Sequence, residues 1–460
     1  MQRPFVLAQA PLSLAHTALL LIVTASLVSS SAGAQATGQR ASPTDGELDS
    51  LVSRALAVNP AIHAAEARAV AAARRVAPAG ARPDPMLMLG IQNLPVAKPG
   101  FSDFMTMKMI GISQTFPFPG KLAFQTRVAE SEVAGARAAI ESARLDVTAT
   151  VEKAYYELSF ADRALEIVLR NQTVLLNLVS VAQVRYTSGT GSQADVLRAR
   201  TEIATLGQGA STLVEQRRST LAQLNAALDR QSDAPITSTA MPARTVRAAV
   251  ADSSSQVRFA SSVLGSRAAD SPLLTVDALQ ALAAKNSPVV HEHLADIAIK
   301  RDRIALAEKA HLPDVSVSLS YGQRQGFTDM LNATVSLPLP VQRQRRQGAE
   351  VAAAVADLTT AEAQHHIMLN ALDADIAKQV SDIERARTAL ALFKQAILPQ
   401  AQATLGSTTA SYQVGRLDFT AVMDAQASVF DAEIAYFRSL TDFAKGVAEL
   451  ERTVGAGVLR

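Results

Sequence analysis

Methionines recur at every second position in one short part of the chain. Met86 and Met88 form one set, and Met105, Met107 and Met109 form another. Residues two apart in a β-strand lie on the same face, so each set would present its thioethers together. Thioether sulfur is a soft ligand that suits monovalent copper or silver. The spacing therefore leads to the hypothesis of a metal site.

The sequence leaves open which strand face carries these methionines. Thr106 and Lys108 alternate with them, and because lysine prefers water this would leave methionine facing lipid. Alignment with the second half of the chain gives the opposite result. It matches Ile110 and Ile112 with apolar, lipid-facing positions of a later strand, which would leave the methionines on the face toward the lumen. A β-bulge would reconcile the two patterns.

No other group of residues predicts metal binding or catalysis. His291 and His293 are two apart on a predicted helix, and His365 and His366 are adjacent, so the members of each pair diverge. The absence of cysteine excludes thiolate metal sites and a cysteine nucleophile. The chain also lacks a G-x-x-x-x-G-K-[ST] loop and an H-E-x-x-H motif. We therefore predict a protein that is not an enzyme and needs no cofactor.

Composition limits the class of partner and the kind of core. Lys plus Arg number 44 and Asp plus Glu 42 among 460 residues, so the basic footprint of a nucleic-acid-binding protein is missing and no nucleic acid partner is expected. Tryptophan is absent and aromatic residues are 4%. A core of Ala, Leu and Val favours closely packed helices.

The N-terminus has the features of an export signal. Arg3 is the first charged residue, an apolar run begins at Ala18, and Ala32-Gly33-Ala34 fits a small-x-small cleavage site. The run is shorter than the about 20 apolar residues of a membrane helix. We predict a signal peptide at 1–34. Because no later transmembrane helix is predicted, a membrane crossing would require a closed β-barrel.

Four short landmarks recur in the same order, each displaced by roughly 220 to 230 residues. One pair could be chance, but four in order indicate two structural halves. They are Asn59-Pro60 with Ser287-Pro288, Pro83-Asp84 with Pro313-Asp314, Phe116-Pro117-Phe118-Pro119 with Leu337-Pro338-Leu339-Pro340, and Tyr186-Thr187-Ser188-Gly189 with Tyr412-Gln413-Val414-Gly415.

Each half is predicted to contain a shorter helix, two strands, a very long helix, a tight turn and another shorter helix. The first long helix is expected at 121–187, which at 1.5 Å per residue would extend about 100 Å. Its counterpart is expected from about Gln344 to Tyr412, interrupted by Pro399 and Gly406.

The shorter helices, predicted at about 47–76 and 193–228, are each about half as long as the long helix. Two stacked end to end would match one long partner, which predicts a cylinder of helices. Within 121–187, apolar residues alternate in steps of three and four around one polar break at Gln172, as in a coiled-coil seam. That seam comprises Leu158, Ala161, Leu165, Val168, Leu175, Val179, Ala182 and Tyr186.

The predicted strand pairs lie between Pro85 and Phe116 and between Val315 and Leu337. The second pair alternates apolar with small polar residues, which is typical of transmembrane β-strands. Four strands do not close a barrel, and an open edge is not tolerated in lipid. Several chains must therefore contribute, and three would provide twelve strands.

The segment at 230–271 is rich in Ser, Ala, Asp and Arg without periodicity, so we predict a partly disordered connector. The expected organisation is a signal peptide at 1–34, a first repeat at 35–229, the connector, and a second repeat at 272–460. The predicted fold class is mainly α with a small β part.

Four stretches resemble the TolC family of outer-membrane efflux proteins, and the resemblance covers essentially the whole mature chain. They are Gly111-Ile112-Ser113-Gln114-Thr115-Phe116-Pro117-Phe118-Pro119-Gly120-Lys121, Gly189-Thr190-Gly191-Ser192-Gln193-Ala194-Asp195-Val196-Leu197-Arg198-Ala199-Arg200, Leu221-Ala222-Gln223-Leu224-Asn225-Ala226-Ala227-Leu228, and Tyr412-Gln413-Val414-Gly415 through Val422-Met423-Asp424-Ala425.

The resemblance implies a homotrimer with a twelve-stranded barrel in the outer membrane and a helical tunnel in the periplasm. The tunnel would dock on a periplasmic adaptor and an inner-membrane efflux pump and provide a passive exit. The junction with Gly120-Lys121 is most similar to the branch that works with heavy-metal and cation pumps, while drug export stays open. A periplasmic coiled-coil adaptor is the alternative, but adaptors lack two strand pairs at equivalent positions.

The resemblance also assigns roles at the two helical tips. The family tyrosine matched by Tyr412 bonds the aspartate matched by Asp195 and helps to hold the entrance closed. Asp424 matches one of two inward-facing entrance aspartates, and three copies would form an anionic ring. One arginine of the family's lock falls at Leu417, which implies a looser lock.

The residues at these tips also have a simpler structural interpretation. Gly189 and Gly415 supply backbone freedom where a long helix must reverse. Asp195 lies near the start of the next helix, where the helix dipole favours a carboxylate. Helix capping is therefore the alternative to a gating role.

Overall fold

The computed structural model describes residues 43–97, 99–236, 239–250 and 272–459. The predicted signal peptide at 1–34 and part of the predicted connector, 251–271, lie outside the described residues. The structured part is mostly helical, with one small antiparallel sheet.

Six elements form the first half. The first six are α1 (Pro43–Val58), α2 (Pro60–Gly80), β1 (Met86–Gln92), β2 (Met107–Phe116), α3 (Lys121–Thr187) and α4 (Gln193–Ala227). After α5 (Ala243–Val250) come α6 (Val276–Asn286), α7 (Pro288–Lys309), β3 (Val315–Arg324), β4 (Met330–Ser336), α8 (Ala349–Leu392), α9 (Leu398–Gln413) and α10 (Phe419–Val454). The second half repeats the order of the first, with its long helix in two segments, α8 and α9.

The helix predicted at 47–76 is two helices, because proline begins a helix better than it continues one. Asn59 caps α2, where its Oδ1 accepts a hydrogen bond from the Ala61 N–H at 2.9 Å. Its Nδ2 donates to the Ala227 carbonyl at 2.9 Å, which ties this break to the end of α4. Ser287 and Pro288 form the equivalent break between α6 and α7.

The second long helix is continuous where an interruption was expected. A π-helical turn at Phe393–Ile397 joins α8 to α9, and Pro399 lies at the start of α9. Because proline has no N–H and crowds the preceding turn, the wider π turn accommodates it without ending the helix. Gly406 lies inside α9 without breaking it.

The predicted connector contains a helix that the sequence pattern did not reveal. α5 (Ala243–Val250) buries Thr245 and Ala249 and packs against α1, α8 and α10. This part of the connector is therefore ordered, since it has its own apolar contacts with both halves.

The long helix α3 organises the packing, because it contacts α1, α2, α4, α7 and α10. Contact on two sides widens its buried surface beyond a single seam. Ser159 and Asn171 are polar residues buried in that surface, and Asn171 lies one residue from the predicted Gln172. Its Oδ1 accepts a hydrogen bond from the Gln426 side chain of α10 at 2.5 Å.

The four strands form one antiparallel sheet in the order β1-β2-β3-β4. The central pair, β2 with β3, joins the two halves of the chain. Among the described residues, β1 and β4 are the two edges of this sheet.

The two faces of the sheet differ in chemistry. One face is apolar and exposed, and the other carries small polar residues, as in a strand between lipid and a lumen. The exposed apolar face comprises Leu87, Leu89, Ile91, Ile110, Ile112, Val317, Leu319, Tyr321, Leu331 and Val335. The polar face, called the inner face below, includes Ser113, Thr115, Ser316, Ser318, Ser320, Asn332 and Thr334.

A polar contact joins the sheet to α3. Lys121 Nζ, at the start of α3, lies 2.8 Å from Asp314 Oδ1 just before β3. The same oxygen accepts the Phe118 N–H at 2.8 Å. Burial opposes ionisation of Asp314, but these two hydrogen bonds outweigh it and lower its pKa. The landmark Pro313-Asp314 therefore holds one half of the chain to the other.

Among the described helices, α3 is long and apolar enough to span a membrane by length and composition alone. No such helix was expected from the sequence. A third of its most apolar window is buried, 33%, and its neighbours α2, α4, α7 and α10 are also helices. A helix built for close packing against other helices passes the same test of length and composition.

Candidate functional site

Both helical tips reverse the chain with the same backbone geometry. Gly189 and Gly415 have φ angles of 74° and 75°, the left-handed region that only glycine adopts readily. The N–H groups of Thr190 and Arg416 each donate to a carbonyl five residues earlier, at 2.9 Å. The expectation that these glycines allow the reversal agrees with this geometry.

Asp195 caps α4. Its carboxylate faces the Ser192 N–H at 3.5 Å, while Ser192 Oγ accepts the Ala194 N–H at 3.1 Å. These contacts form a capping box, which satisfies N–H groups that the helix itself leaves free. The capping alternative for Asp195 is therefore realised in the structure.

The expected hydrogen bond between Asp195 and Tyr412 is absent within the protomer. Tyr412 is 3% exposed, and its ring packs against Phe419 with 5.5 Å between centroids. Its phenol oxygen is buried without a hydrogen-bond partner among the described residues. Burial raises the pKa of the Tyr412 phenol; the Arg185 charge lowers it, and the Asp195 charge raises it further.

Arg185 makes the contact between the two tips that the sequence analysis missed. Its guanidinium lies 4.4 Å from the centroid of the Tyr412 ring. Nη1 donates to the Tyr412 carbonyl, and Nη2 donates to the Thr190 carbonyl at 3.2 Å. A cation in the last turn of α3 suits the helix dipole. That position was the only local signal, because Tyr412 is distant in sequence.

A second contact joins the same tips. Arg198 Nη1 of α4 donates to Thr420 Oγ1 of α10 at 2.5 Å. Leu417, at the position of the family's lock arginine, is exposed in the turn. The two arginines that cross between the tips therefore come from the first hairpin.

Asp424 is exposed on α10, one turn beyond the tip. The neighbouring residues Val422, Met423 and Ala425 are buried. The carboxylate of Asp424 thus projects from the packed side of α10 and is free to contribute charge to a surrounding space.

The strand register identifies the face that carries the methionines. Met86 and Met88 pair with Ser113 and Gly111, so they lie on the inner face. Met107 and Met109 pair with Arg324 and Gly322 on that same face. The β1–β2 ladder is continuous, so the bulge considered above is absent from these strands.

Lys108 lies on the apolar face of the sheet, where the sequence analysis did not favour lysine. It is the second residue of β2, and its Nζ lies 4.8 Å from the centroid of the Phe101 ring. A lysine near the end of a strand can reach the polar boundary. Met105 precedes the strand and is exposed.

The histidines form no metal cluster. Among the described residues, there is no group of three or more His, Cys, Asp or Glu that could hold a metal ion. Helix packing nevertheless brings His293 of α7 and His365 of α8 to 6.1 Å between ring centroids. The predicted divergence concerned two histidines of the same helix, and it does not extend to histidines of different helices.

Residues 51–230 and 279–456 match the sequence model of the outer membrane efflux protein family. These two ranges make up well over half of the chain and fall on its two repeats. The chain belongs to the outer membrane efflux protein family. It is an efflux channel protein of the outer membrane whose helical tunnel extends into the periplasm, and the adaptor alternative is not favoured. The family consists of channels and is not an enzyme family.

Individual relatives agree with this assignment. The cobalt-zinc-cadmium resistance protein CzcC of Cupriavidus metallidurans is 21% identical over 341 residues, covering 73% of this chain and 74% of CzcC. The outer membrane protein VceC of Vibrio cholerae has a similar fold, with a TM-score of 0.71 and 20% identity over 90% of this chain and 97% of VceC. CusC gives a TM-score of 0.72 with 15% identity over 90% of this chain and 92% of CusC.

Proposed function

We propose that three copies of this chain form the exit duct of a tripartite efflux system. The observation that carries the proposal is the sheet, which has one exposed apolar face and two edges, β1 and β4. Unpaired edges are not tolerated in lipid, so β1 of one copy pairs with β4 of the next. Four strands from each of three copies close a twelve-stranded barrel.

The tips form the periplasmic entrance of this duct and contact its partners. Arg185, through the Tyr412 carbonyl, and Arg198, through Thr420, hold the two hairpins of a protomer together, which narrows the entrance. Gly189 and Gly415 shape the turns, Asp195 and Tyr412 support them, and three copies of Asp424 supply negative charge. A periplasmic adaptor and an inner-membrane pump bind at this end and provide the energy.

Heavy-metal cations are the proposed cargo. The resemblance to the cation-efflux branch at Gly120-Lys121 supports this, as does the name of the relative CzcC, a cobalt-zinc-cadmium resistance protein. An anionic entrance would concentrate cations. Drug export is the second candidate, and VceC and the other structural relatives share the fold alone.

Assembly and conductance test the proposal together. The purified mature protein should run as a trimer in detergent and produce discrete conductance steps in planar bilayers. A water-soluble, monodisperse monomer without conductance would contradict the duct and favour a scaffold. In cells that lack the chain, sensitivity should rise to cobalt, zinc or cadmium if cations are the cargo, and to antibiotics if drugs are.

A further inference from the structure

The inner face of the sheet carries an unusual concentration of methionine. The chain has 10 methionines, and five lie in strands: Met86, Met88, Met107, Met109 and Met330. All five point to the inner face, none to the apolar face. Methionines that served only to contact lipid would lie on the apolar face instead.

Four of these methionines occupy successive inner-facing rungs of the ladder. Met86 lies opposite Ser113, Met88 opposite Gly111, and Met109 and Met107 are themselves the next two inner positions of β2. Inner-facing rungs are about 6.8 Å apart along a strand. The thioethers therefore form a row of about 20 Å, called the methionine row below.

Small neighbours leave these side chains room to turn toward each other. Met109 is flanked across the sheet by Gly90 and Gly322, and Met88 by Gly111. A Cβ on Gly322 would lie 2.7 Å from Met107 Sδ, so that thioether lies directly over the glycine. Met88 and Met109 are diagonal neighbours, at a separation that long side chains span.

We propose that the methionine row binds monovalent soft cations, Cu(I) or Ag(I), as they pass through the barrel. Two or three thioethers suit such ions, whereas cobalt and zinc prefer nitrogen, oxygen or thiolate ligands. Several weak sites in sequence allow an ion to enter and leave, as conduction requires. The assignment rests on the proposed function, because it requires that the inner face line a lumen.

A positively charged residue lies at one end of the methionine row. Arg324 pairs with Met107 on the inner face, but its side chain turns to the loops, where Nε donates to the Thr328 carbonyl at 2.7 Å. Because this positive charge lies beside Met107, the strongest cation-binding positions of the row are Met86, Met88 and Met109.

Silver binding by the intact trimer tests the inference. The probe is silver nitrate in chloride-free buffer, measured by calorimetry and native mass spectrometry. The triple variant Met86→Leu, Met88→Leu, Met109→Leu keeps side-chain volume and removes the sulfurs. Its silver affinity should fall by about tenfold or more. The matched control, Met241→Leu, Met368→Leu, Met423→Leu, should bind silver as the wild type does.

Conductance separates this inference from the proposed function. Silver should reversibly reduce the sodium current of the wild type and the control, but not of the row variant, while zinc and cobalt should affect all three alike. Equal silver binding by row variant and control, with normal conductance, would overturn the methionine row and leave the duct intact. Absence of conductance in the wild type would overturn the duct itself.

Discussion

Arg185 and Tyr412 contribute to the entrance through different parts of their side chains. Arg185 joins the tips by a hydrogen bond to the Tyr412 carbonyl and by contact with the Tyr412 ring, while a second bond to the Thr190 carbonyl fixes its guanidinium within its own tip. Tyr412 contributes that ring and one carbonyl, while its hydroxyl is buried and has no hydrogen-bond partner in the part of the chain that the structure describes. The side chain that a gating hypothesis should target is therefore the arginine.

Replacing Arg185 should loosen the entrance. Arg185→Gln removes a charged hydrogen-bond donor and a cation–π contact, which together contribute about 2–3 kcal/mol per protomer. Single-channel conductance and the leak of large antibiotics should both increase. The control is Arg416→Gln at the neighbouring exposed position, which should leave both unchanged. Equal effects from the two variants would mean that charge near the entrance matters more than the contact.

Tyr412→Phe should leave conductance nearly unchanged. The substitution removes a buried hydroxyl without a partner and keeps the ring that Arg185 contacts, so no hydrogen bond of the protomer is lost. Bilayer recordings beside Arg185→Gln provide the comparison. An increase as large as that of the arginine variant would show that a neighbouring subunit bonds the hydroxyl.

Glu152 introduces a pH dependence of stability. Burial, then the charge of Glu451, raise its pKa to about 7 from 4.5, while Arg244 lowers it and Asp49 raises it. The folded state thus binds more protons than the unfolded state between these values, and stability decreases as pH rises through that window. Glu152→Gln should stabilise the protein at pH 8 by up to about 3 kcal/mol.

Thermal unfolding followed by circular dichroism at pH 4.5 and pH 8 checks the effect of Glu152. The difference between the two melting temperatures should be smaller in Glu152→Gln than in the wild type. Glu215→Gln, in an exposed pair with Arg218, is the control and should keep the wild-type difference. Identical pH profiles for all three proteins would contradict the raised pKa.

At the scale of elements, the ends of a helix or strand were predictable where residues next to them in sequence determine them. The bounds of α3 follow from Pro119-Gly120 before it and the glycine turn after it. The alternation of β3 and β4 predicted both strands and their faces. The break at Asn59-Pro60 was missed, since one helix was predicted at 47–76, although asparagine caps a helix and proline begins one.

Elements that depend on distant contacts were not predictable in the same way. α5 forms because Thr245 and Ala249 are buried by helices from both halves. The π turn before Pro399 packs against α10, a helix that follows later in the chain. Arg185 reaches a residue of the other half, and no local pattern indicates such a contact.

The junction of sheet and helix can be weakened by one substitution. Asp314→Asn removes the ion pair with Lys121 and weakens the bond from the Phe118 N–H, a loss of about 1–3 kcal/mol. Proteolysis near residues 117–121 should become faster, and the melting temperature should fall. Asp84→Asn, the exposed equivalent in the first repeat, should change neither. Equal sensitivity of both variants would contradict a special role for Asp314.

At the scale of the whole molecule, the proposed role of Asp424 depends on the assembly. In the proposed trimer, three exposed Asp424 carboxylates would surround the axis and attract cations at the entrance. Asp424→Asn should lower the cation-to-anion permeability ratio by about twofold or more while leaving conductance steps intact. Reversal potentials in a salt gradient measure this ratio. Asp431→Asn, further along α10, is the comparison, and an equal decrease there would assign selectivity to α10 as a whole.

The open edges of β1 and β4 have a genetic consequence. Because no subunit satisfies its own backbone in lipid, insertion into the membrane and assembly are one event. A chain whose β4 edge is blocked by Ala333→Pro, at a position that alternates with Thr334, whose carbonyl faces β3, still offers a normal β1 edge to its neighbours. Produced equally with the wild type, it would leave only about one trimer in eight free of the defect. Such an allele should be dominant.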